Sequence, residues 1–269
     1  MRRSLLCGML ALGGCLLLCG CTFRADPPLA QVTATPESSS AISPTGESPD
    51  NAEAEPQEMS ELLAGMTLRE KVGQLFFVRP DALDPSQTRQ QINDADAVGV
   101  TALSDLMRDT LNRYPVGGVV LFGKNLTDPE QLSDFTAQLH GVGKTPLLIA
   151  VDEEGGTVAR LANHSGFYSL PDYPSAAQVA AGGTDAVYGM SSAIGGYLKA
   201  YGIDLDFAPV ADVNTNPDNP IIGERAFSED PQQAADLVGA AVKGFHDGGV
   251  LCCLKHYPGH GDTAEDSHK

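Results

Sequence analysis

The sequence predicts an α/β fold built around a mainly parallel sheet. From about residue 59 onward, short apolar runs alternate with longer amphipathic segments of helical period. Capping residues, prolines and glycine pairs separate these segments, as they do between strands and helices. Strands that alternate with helices are typical of a parallel sheet, either open or closed into a barrel. With 42% hydrophobic residues in a chain of 269, there is enough apolar material for a sizeable core.

Residues 1–20 have the features of a bacterial export signal. Arg2 and Arg3 form a positive region, and Leu5–Leu18 form an apolar stretch that is short for a membrane span. The letters L-C-G-C ending at Cys21 resemble a lipobox, whose cysteine is lipidated and becomes the mature N-terminus. A lipobox ending at Cys15 and an ordinary cleaved signal are the alternatives. We predict an exported protein, lipid-anchored to the cell membrane through Cys21 and facing the cell wall.

Residues 21–58 are predicted to be a disordered tether. They are rich in Pro, Ser, Thr, Ala and Glu, show no apolar periodicity and contain a single basic residue, Arg24. Such a composition cannot bury enough apolar surface to fold. The folded part is therefore expected to span 59–269.

The folded part is predicted to begin near Met59 with two short helices and a strand. Ser60 is expected to cap the first helix. Thr67, with Glu70 three residues later, forms a capping box for the second. The first strand is predicted at Leu75–Val78, where the apolar residues are contiguous.

The segment 81–110 is predicted to be an inserted helical pair with Leu103, Leu106 and Leu111 on one face. Beyond it the elements alternate regularly, and Thr184 is expected to cap the middle helix. Strands are predicted at 119–122, 147–151, 206–210 and 250–254, and helices at 128–140, 184–201 and 231–246. Together with 75–78, this gives a sheet of five strands.

Outside the signal and its lipobox, the chain has two cysteines, Cys252 and Cys253. Neighbours on a strand point to opposite faces, so a disulfide between them would be strained. We expect both to be small apolar core residues.

The charge disfavours several classes of partner. A formal net charge of -18 repels phosphate backbones, so nucleic acid is not expected to bind. No G-x-G-x-x-G or Walker pattern follows a predicted strand, which argues against a nucleotide cofactor. We expect no cofactor of any kind, and a neutral or cationic ligand.

Polar clusters follow the predicted strands at four places. They are 152–156 with Arg160, 212–214 with 219–225, Lys255-His256, and 266–268. Ligands of parallel α/β folds bind at the carboxyl ends of strands, where these clusters would converge on one mouth.

Three long motifs in this region resemble family 3 of the glycoside hydrolases, specifically its β-N-acetylglucosaminidase (NagZ-like) branch. They are VDEEGGTVARL at 151–161, FAPVADVNTNPDNPIIGERAF at 207–227 and KHYPGHGDTAEDSH at 255–268. The resemblance runs in order from about Met59 to the end of the chain.

The resemblance implies a (β/α)8 TIM-type barrel and retaining hydrolysis, in which an aspartate attacks the sugar and a second group protonates the leaving oxygen. In this branch the second group is a histidine, which corresponds to His268 oriented by Asp266. An imidazole titrates near neutral pH, and a nearby carboxylate can fix its tautomer. The positions that bind the substrate correspond to Asp152, Arg160, Arg225, Lys255 and His256.

The resemblance also places the nucleophilic aspartate and about three of the eight barrel strands beyond residue 269. We therefore expect this chain alone to be inactive. Three positions depart from the family's pattern: Glu153 replaces a glutamine, Thr157 an arginine and Ala226 a serine. Details of the sugar pocket are expected to differ accordingly.

The predicted function is removal of terminal N-acetylglucosamine from cell-wall or related glycans. A β-glucosidase or a phosphorylase is the alternative within the family. A non-catalytic, sugar-binding lipoprotein is the alternative of another class, because it would need no nucleophile.

A metal-dependent hydrolase is a further alternative that the histidines raise. His256 and His260 are four residues apart, as zinc ligands on one helical face would be, and Asp266 and His268 would complete the set of ligands. Pro258 and Gly259 stand between the two histidines and prevent the helix that this spacing needs. We therefore predict no metal site.

Overall fold

The computed structural model describes residues 57–266, with side chains from Met59 onward. The predicted export signal, Cys21, nearly all of the tether and His268 lie outside the described residues. The described strands are β1 (Phe77–Val78), β2 (Gly118–Val120), β3 (Leu148–Val151), β4 (Glu153–Gly155), β5 (Val158–Ala159), β6 (Leu205–Asp206) and β7 (Leu251–Cys252).

Five of these strands form one parallel sheet in the order β1-β2-β3-β6-β7. The strands β4 and β5 form a small antiparallel pair directly after β3. The predicted α/β architecture with five parallel strands is therefore confirmed. The carboxyl ends of all five parallel strands lie on the same side of the sheet, which is where the candidate site forms.

Helices precede and connect the strands between residues 57 and 266. The α-helices are α1 (Gln57–Gly65), α2 (Leu68–Gly73), α3 (Pro80–Leu83), α4 (Arg89–Asn93), α5 (Asp105–Arg113), α6 (Pro129–His140), α7 (Ala176–Ala180), α8 (Gly183–Ala200) and α9 (Pro231–Gly248). Short 3-10 turns occur at Gly123–Asn125, Ser165–Phe167 and Gly223–Arg225.

Side-chain caps decide where several helices begin. The predicted capping box at Thr67 is present, and the Asp128 carboxylate caps α6 by accepting from two backbone N–H groups. Two predicted caps are wrong. Ser60 lies inside α1, and Thr184 lies in the first turn of α8, because the glycines at 182–183 allow the chain to enter that helix earlier.

The segment 81–110 forms three short helices, α3 to α5, and not a helical pair. Met107 and Leu111, four residues apart on α5, face the core. Leu111 is buried, and Leu103, which precedes the helix, is partly buried and packs against the same core. Leu106 is 53% exposed, so the predicted apolar face was wrong at Leu106.

The strands are shorter than the apolar runs that predicted them. After β6 the chain leaves the sheet at Pro209, which has no N–H to donate to a ladder, and rejoins it at Val210 through a bridge to Lys255. The peptide bonds Ala208-Pro209, Lys255-His256 and Tyr257-Pro258 are cis.

The prediction that both strand cysteines are core residues was wrong for Cys253, whereas Cys252 packs against the hydrophobic core. Cys253 is exposed and Cys252 is half-buried. The reason is that β7 is the outer strand of the described sheet, so its residues are covered from one side. Both thiols are free, and the Cys252 Sγ lies 3.9 Å from the Nε2 of His246.

The helices α8 and α9 pack closely against each other through small residues. A Cβ at Gly244 would lie 2.7 Å from the backbone oxygen of Tyr188, so only glycine fits at that contact. Buried side chains between this pair and the sheet include Ile194, Leu198 and Phe245.

None of the helices between residues 57 and 266 combines the length and apolar character that crossing a bilayer requires.

Candidate active site

Polar residues from three strand ends meet at Lys255. Asp152 directly follows β3, Glu154 lies in β4, and Lys255 follows β7. The Nζ of Lys255 lies 2.9 Å from Oδ1 of Asp152 and 2.5 Å from Oε1 of Glu154. The bridge to Val210 fixes the Lys255 backbone as well. An ammonium group between two carboxylates is thereby held in one position, with charge-assisted hydrogen bonds to both.

Arg225 is the second cation of the site. Its Nε and Nη2 each donate to a different oxygen of Glu154, both at 2.8 Å, which is the bidentate geometry of a guanidinium and a carboxylate. Its Nη1 donates to the backbone oxygen of Ile221 at 3.1 Å. Hydrogen bonding to Glu154 raises the pKa of Arg225 above its ordinary value, so the guanidinium remains charged. Glu154 therefore joins both cations of the site.

His256 is oriented by a buried carboxylate. Its Nδ1 lies 2.6 Å from Oδ2 of Asp212, and the other Asp212 oxygen accepts the backbone N–H of His260, also at 2.6 Å. The Nε2 of His256 faces the Nη2 of Arg225 at 3.4 Å. A carboxylate on Nδ1 holds a proton there, which leaves Nε2 directed toward the other site residues. His260 itself shapes the loop through its backbone, and its ring contacts the Thr263 hydroxyl.

Arg160 lies on the opposite side of Asp152 from Lys255. Its Nη2 is 3.5 Å from Oδ2 of Asp152, and its guanidinium lies 5.8 Å from the ring centroid of Phe122. The Nε of Arg160 is a buried donor for which residues 57–266 supply no acceptor.

Asn219 ties two loops of the site together. Its side-chain oxygen accepts the backbone N–H groups of Ile221 and Ile222, and its Nδ2 donates to the backbone oxygen of His260 at 2.7 Å. The loop that carries Arg225 is thus fixed to the loop that follows His256. Neither loop contains a long helix or strand whose backbone hydrogen bonds could fix its shape. Side-chain hydrogen bonds fix the conformation of both loops instead.

The structure brings together the five residues predicted to bind the substrate. These are Asp152, Arg160, Arg225, Lys255 and His256. Asp266 is half-buried close to the end of the described residues, and His268 lies outside them. The assignment of that pair as the acid/base dyad therefore stays a prediction.

The sequence analysis placed Glu154, Asp212 and Asn219 in its polar clusters but assigned none of the three a role in the site. All three stand inside the motifs quoted above, but nothing in a single sequence says which acid of D-E-E faces the site. The alternation of side chains along a strand does offer a signal, because it places Asp152 and Glu154 on one side and Glu153 on the other.

The site opens to an adjoining cavity. It has a volume of 550 Å³ and is lined by residues that include Asp212, Lys255, His256 and Tyr257. The site offers carboxylate acceptors and cationic donors side by side, which suits a ligand rich in hydroxyl groups, because each hydroxyl both donates and accepts. Among residues 57–266, no three His, Cys, Asp or Glu side chains converge as metal ligands would.

Comparison with known proteins identifies what the chain is similar to. Residues 67–269 match the N-terminal domain of glycosyl hydrolase family 3. "Beta-hexosaminidase A" of Pseudoalteromonas piscicida is 39% identical over 174 residues, which cover 63% of this chain and 29% of that protein. "Beta-hexosaminidase" of Nitrosomonas eutropha is 38% identical over 172 residues, which cover 62% of this chain and 49% of that protein. The chain thus spans half the length of these relatives or less.

A solved structure gives the same result for the fold. The glycoside hydrolase family 3 β-N-acetylglucosaminidase from Paenibacillus sp. str. FPU-7 superposes with a TM-score of 0.61 at 36% sequence identity, covering 76% of this chain and 35% of that one. With the parallel sheet described above, this likeness confirms the predicted α/β, TIM-type barrel class.

Proposed function

The chain belongs to glycoside hydrolase family 3, and from that membership we propose that the protein containing it is a retaining exo-β-N-acetylglucosaminidase. The observation that supports this proposal best is that Asp152, Lys255, Arg225 and His256 lie together at the carboxyl ends of the parallel strands. Relatives 38–39% identical to this chain are named β-hexosaminidases, and a similar solved structure is named a β-N-acetylglucosaminidase.

The five residues predicted to bind substrate have distinct roles in this proposal. Asp152 accepts hydrogen bonds from sugar hydroxyls, whereas Lys255 and Arg225 donate to hydroxyl oxygens. His256 presents Nε2 because Asp212 occupies Nδ1. Arg160, whose guanidinium contacts Asp152, adds a further cationic donor for a sugar oxygen. Their positions are fixed before substrate arrives, so little binding energy is spent on ordering them.

Catalysis in this proposal uses a carboxylate nucleophile and an imidazole acid/base. His268, oriented by Asp266, protonates the leaving oxygen and then removes a proton from the attacking water, while an aspartate forms and releases the glycosyl-enzyme. We assign the nucleophile's role to an aspartate outside these 269 residues, as the family resemblance implies. The reaction is therefore proposed for a protein that contains that aspartate, and the 269 residues alone are expected to be inactive.

Glycosidase assays on such a protein test the proposal. It is expected to release nitrophenol from 4-nitrophenyl N-acetyl-β-glucosaminide faster than from the β-glucoside, with no requirement for phosphate. A preference for the glucoside would identify a β-glucosidase, and strict dependence on phosphate would identify a phosphorylase. Sugar binding without turnover of either glycoside would favour the non-catalytic alternative.

We also propose that the protein is exported, lipid-anchored through Cys21, and acts on N-acetylglucosamine-containing glycans of the cell wall. The support is the lipobox and the tether-like composition of residues 21–58. In cells expressing the protein, Cys21→Ala is expected to abolish incorporation of labelled palmitate. Cys15→Ala, at the alternative lipobox, is the matched control and is expected to retain the label. Loss of label from the Cys15 variant alone would move the anchor to that position.

A further inference from the structure

Glu153 is a buried acid that the proposed chemistry does not use. It lies in β4 between Asp152 and Glu154, and its side chain points away from the site because successive residues of a strand face opposite sides. Its exposed fraction is 0%. Burial raises the pKa of Glu153, and hydrogen bonds from neighbouring groups oppose part of that effect. A carboxyl group in such a place needs partners for both oxygens.

The partners of Glu153 lie in the segment that carries Arg160. The backbone N–H of Leu161 donates to Oε2 at 2.8 Å, and that of Ala162 donates to Oε1 at 2.9 Å. The preceding N–H, that of Arg160, donates to the backbone oxygen of Asp152 at 3.4 Å. The main chain on both sides of the Arg160 side chain is thus fixed to residues 152 and 153.

A third donor comes from a separate part of the fold. The hydroxyl of Tyr197, on α8, donates to Oε1 of Glu153 at 2.8 Å. The backbone N–H of Glu153 donates in turn to Oδ1 of Asp206 at 2.9 Å. Glu153 therefore connects the Arg160 segment to α8 and, through Asp206, to the end of β6.

We propose that Glu153 is a positioning residue that sets the place of Arg160 in the sugar site, with Tyr197 holding the Glu153 carboxyl in its orientation. Arg160 needs such support because its own contacts are weak: a 3.5 Å approach to Asp152 and a contact with an aromatic ring. The proposal rests on the proposed function for the identity of the ligand that Arg160 meets.

In this chain both oxygens of the Glu153 carboxyl group accept hydrogen bonds from the Arg160 segment. Each oxygen of Glu153 faces a different backbone N–H, at Leu161 and at Ala162. A glutamine, which the family resemblance places at this position, has one oxygen and would turn its NH₂ group toward one of those N–H donors. A buried donor would then lose its acceptor. Glu153→Gln is consequently expected to loosen the Arg160 segment, although the two side chains have nearly the same shape.

Amide hydrogen exchange tests the structural part of the proposal without any need for activity. In the protein that contains this chain, Glu153→Gln is expected to speed exchange at Leu161 and Ala162 by about fivefold or more, since each buried hydrogen bond contributes substantially to local stability. Tyr197→Phe is the matched control, because it removes one donor and leaves both acceptors of the backbone groups in place, and a smaller effect is expected. Unchanged exchange at both amides in Glu153→Gln would overturn the proposal.

A double-mutant cycle tests whether Glu153 acts through Arg160. Glu153→Gln is expected to raise the KM for the nitrophenyl N-acetylglucosaminide severalfold, with kcat within about twofold, because Arg160 is proposed to bind the sugar equally in the ground state and the transition state. In an Arg160→Ala background the same substitution is expected to leave KM unchanged. An equal rise of KM in both backgrounds would show a general effect on folding and overturn the proposal. If the protein cleaves no glycoside, the proposed function fails and the exchange measurement alone decides the role of Glu153.

Discussion

Replacing Glu154 with glutamine is the sharpest test of how the site is held together. Glu154 forms ion pairs with both Lys255 and Arg225, and the exposed fractions of the Glu154, Lys255 and Arg225 side chains are 5%, 15% and 19%. Removing one partner of a buried ion pair costs about 3–5 kcal/mol. Because glutamine retains one acceptor oxygen and the cations keep some contact with water, we expect about 2–3 kcal/mol for Glu154→Gln.

Urea denaturation of the purified protein measures this loss. A destabilisation of that size lowers the unfolding midpoint by about 1 M. The matched control is Asp247→Asn, which also neutralises a carboxylate paired with a lysine, Lys243, but at an exposed position on α9. That control is expected to leave the midpoint unchanged, since exposed pairs contribute little. If Glu154→Gln shifts the midpoint no more than Asp247→Asn, the site is not held by Glu154 and the reasoning fails.

Three further predictions follow from the same structure. Asp212→Asn removes the carboxylate that holds His256 Nδ1, and we expect kcat/KM for the N-acetylglucosaminide to fall by about tenfold, from the loss of a charge-assisted hydrogen bond; an unchanged value would contradict this. Burial raises the pKa of Asp206 well above its ordinary value, so its contribution to stability is complete at low pH and is lost as the pH rises through the raised pKa. Urea midpoints should therefore fall less steeply with rising pH in Asp206→Asn than in the wild type, and parallel profiles would refute the linkage. Gly244→Ala should destabilise by about 1–3 kcal/mol because its Cβ would overlap α8. Gly239→Ala, on the open side of α9, should stabilise by about 0.5–1 kcal/mol, and equal midpoints for the two variants would argue against the close packing.

Local signals predicted much of the fold. The capping box at Thr67 and the Asp128-Pro129 start of α6 depend on contacts within one helical turn, and both are present as predicted. Predictions were wrong where a longer-range contact or the backbone freedom of glycine decided the outcome. Helix α8 begins after Gly182, so Thr184 lies inside it and does not cap it. On α5, Met107 and not Leu106 faces the core.

The candidate site could be located from the sequence, but its internal pairing could not. Lys255 and Asp152 are 103 positions apart, and only the folded sheet brings their strand ends together. No feature of the neighbouring sequence distinguishes Glu154 and Asp212 from the other acidic residues of their motifs. Their roles follow from the direction in which each side chain leaves its strand or loop, and three-dimensional structure alone supplies that direction.

The exposure of Cys253 has the same kind of origin. A run of five apolar residues predicts a buried strand, yet burial also requires a neighbouring element on each side. In the described sheet β7 is an edge strand and pairs with β6 alone. Cys253 and Leu254, which follow β7, are therefore exposed.

Binding of N-acetylglucosamine to the purified protein, measured by isothermal titration calorimetry, tests the central claim most directly. The claim is that Lys255, fixed between Asp152 and Glu154, holds the sugar. We expect Lys255→Ala to weaken binding by at least about tenfold, from the loss of charge-assisted hydrogen bonds. Lys243→Ala, which removes an equally charged but exposed lysine, should bind as the wild type does. Equal affinities for the wild type and Lys255→Ala would contradict the account.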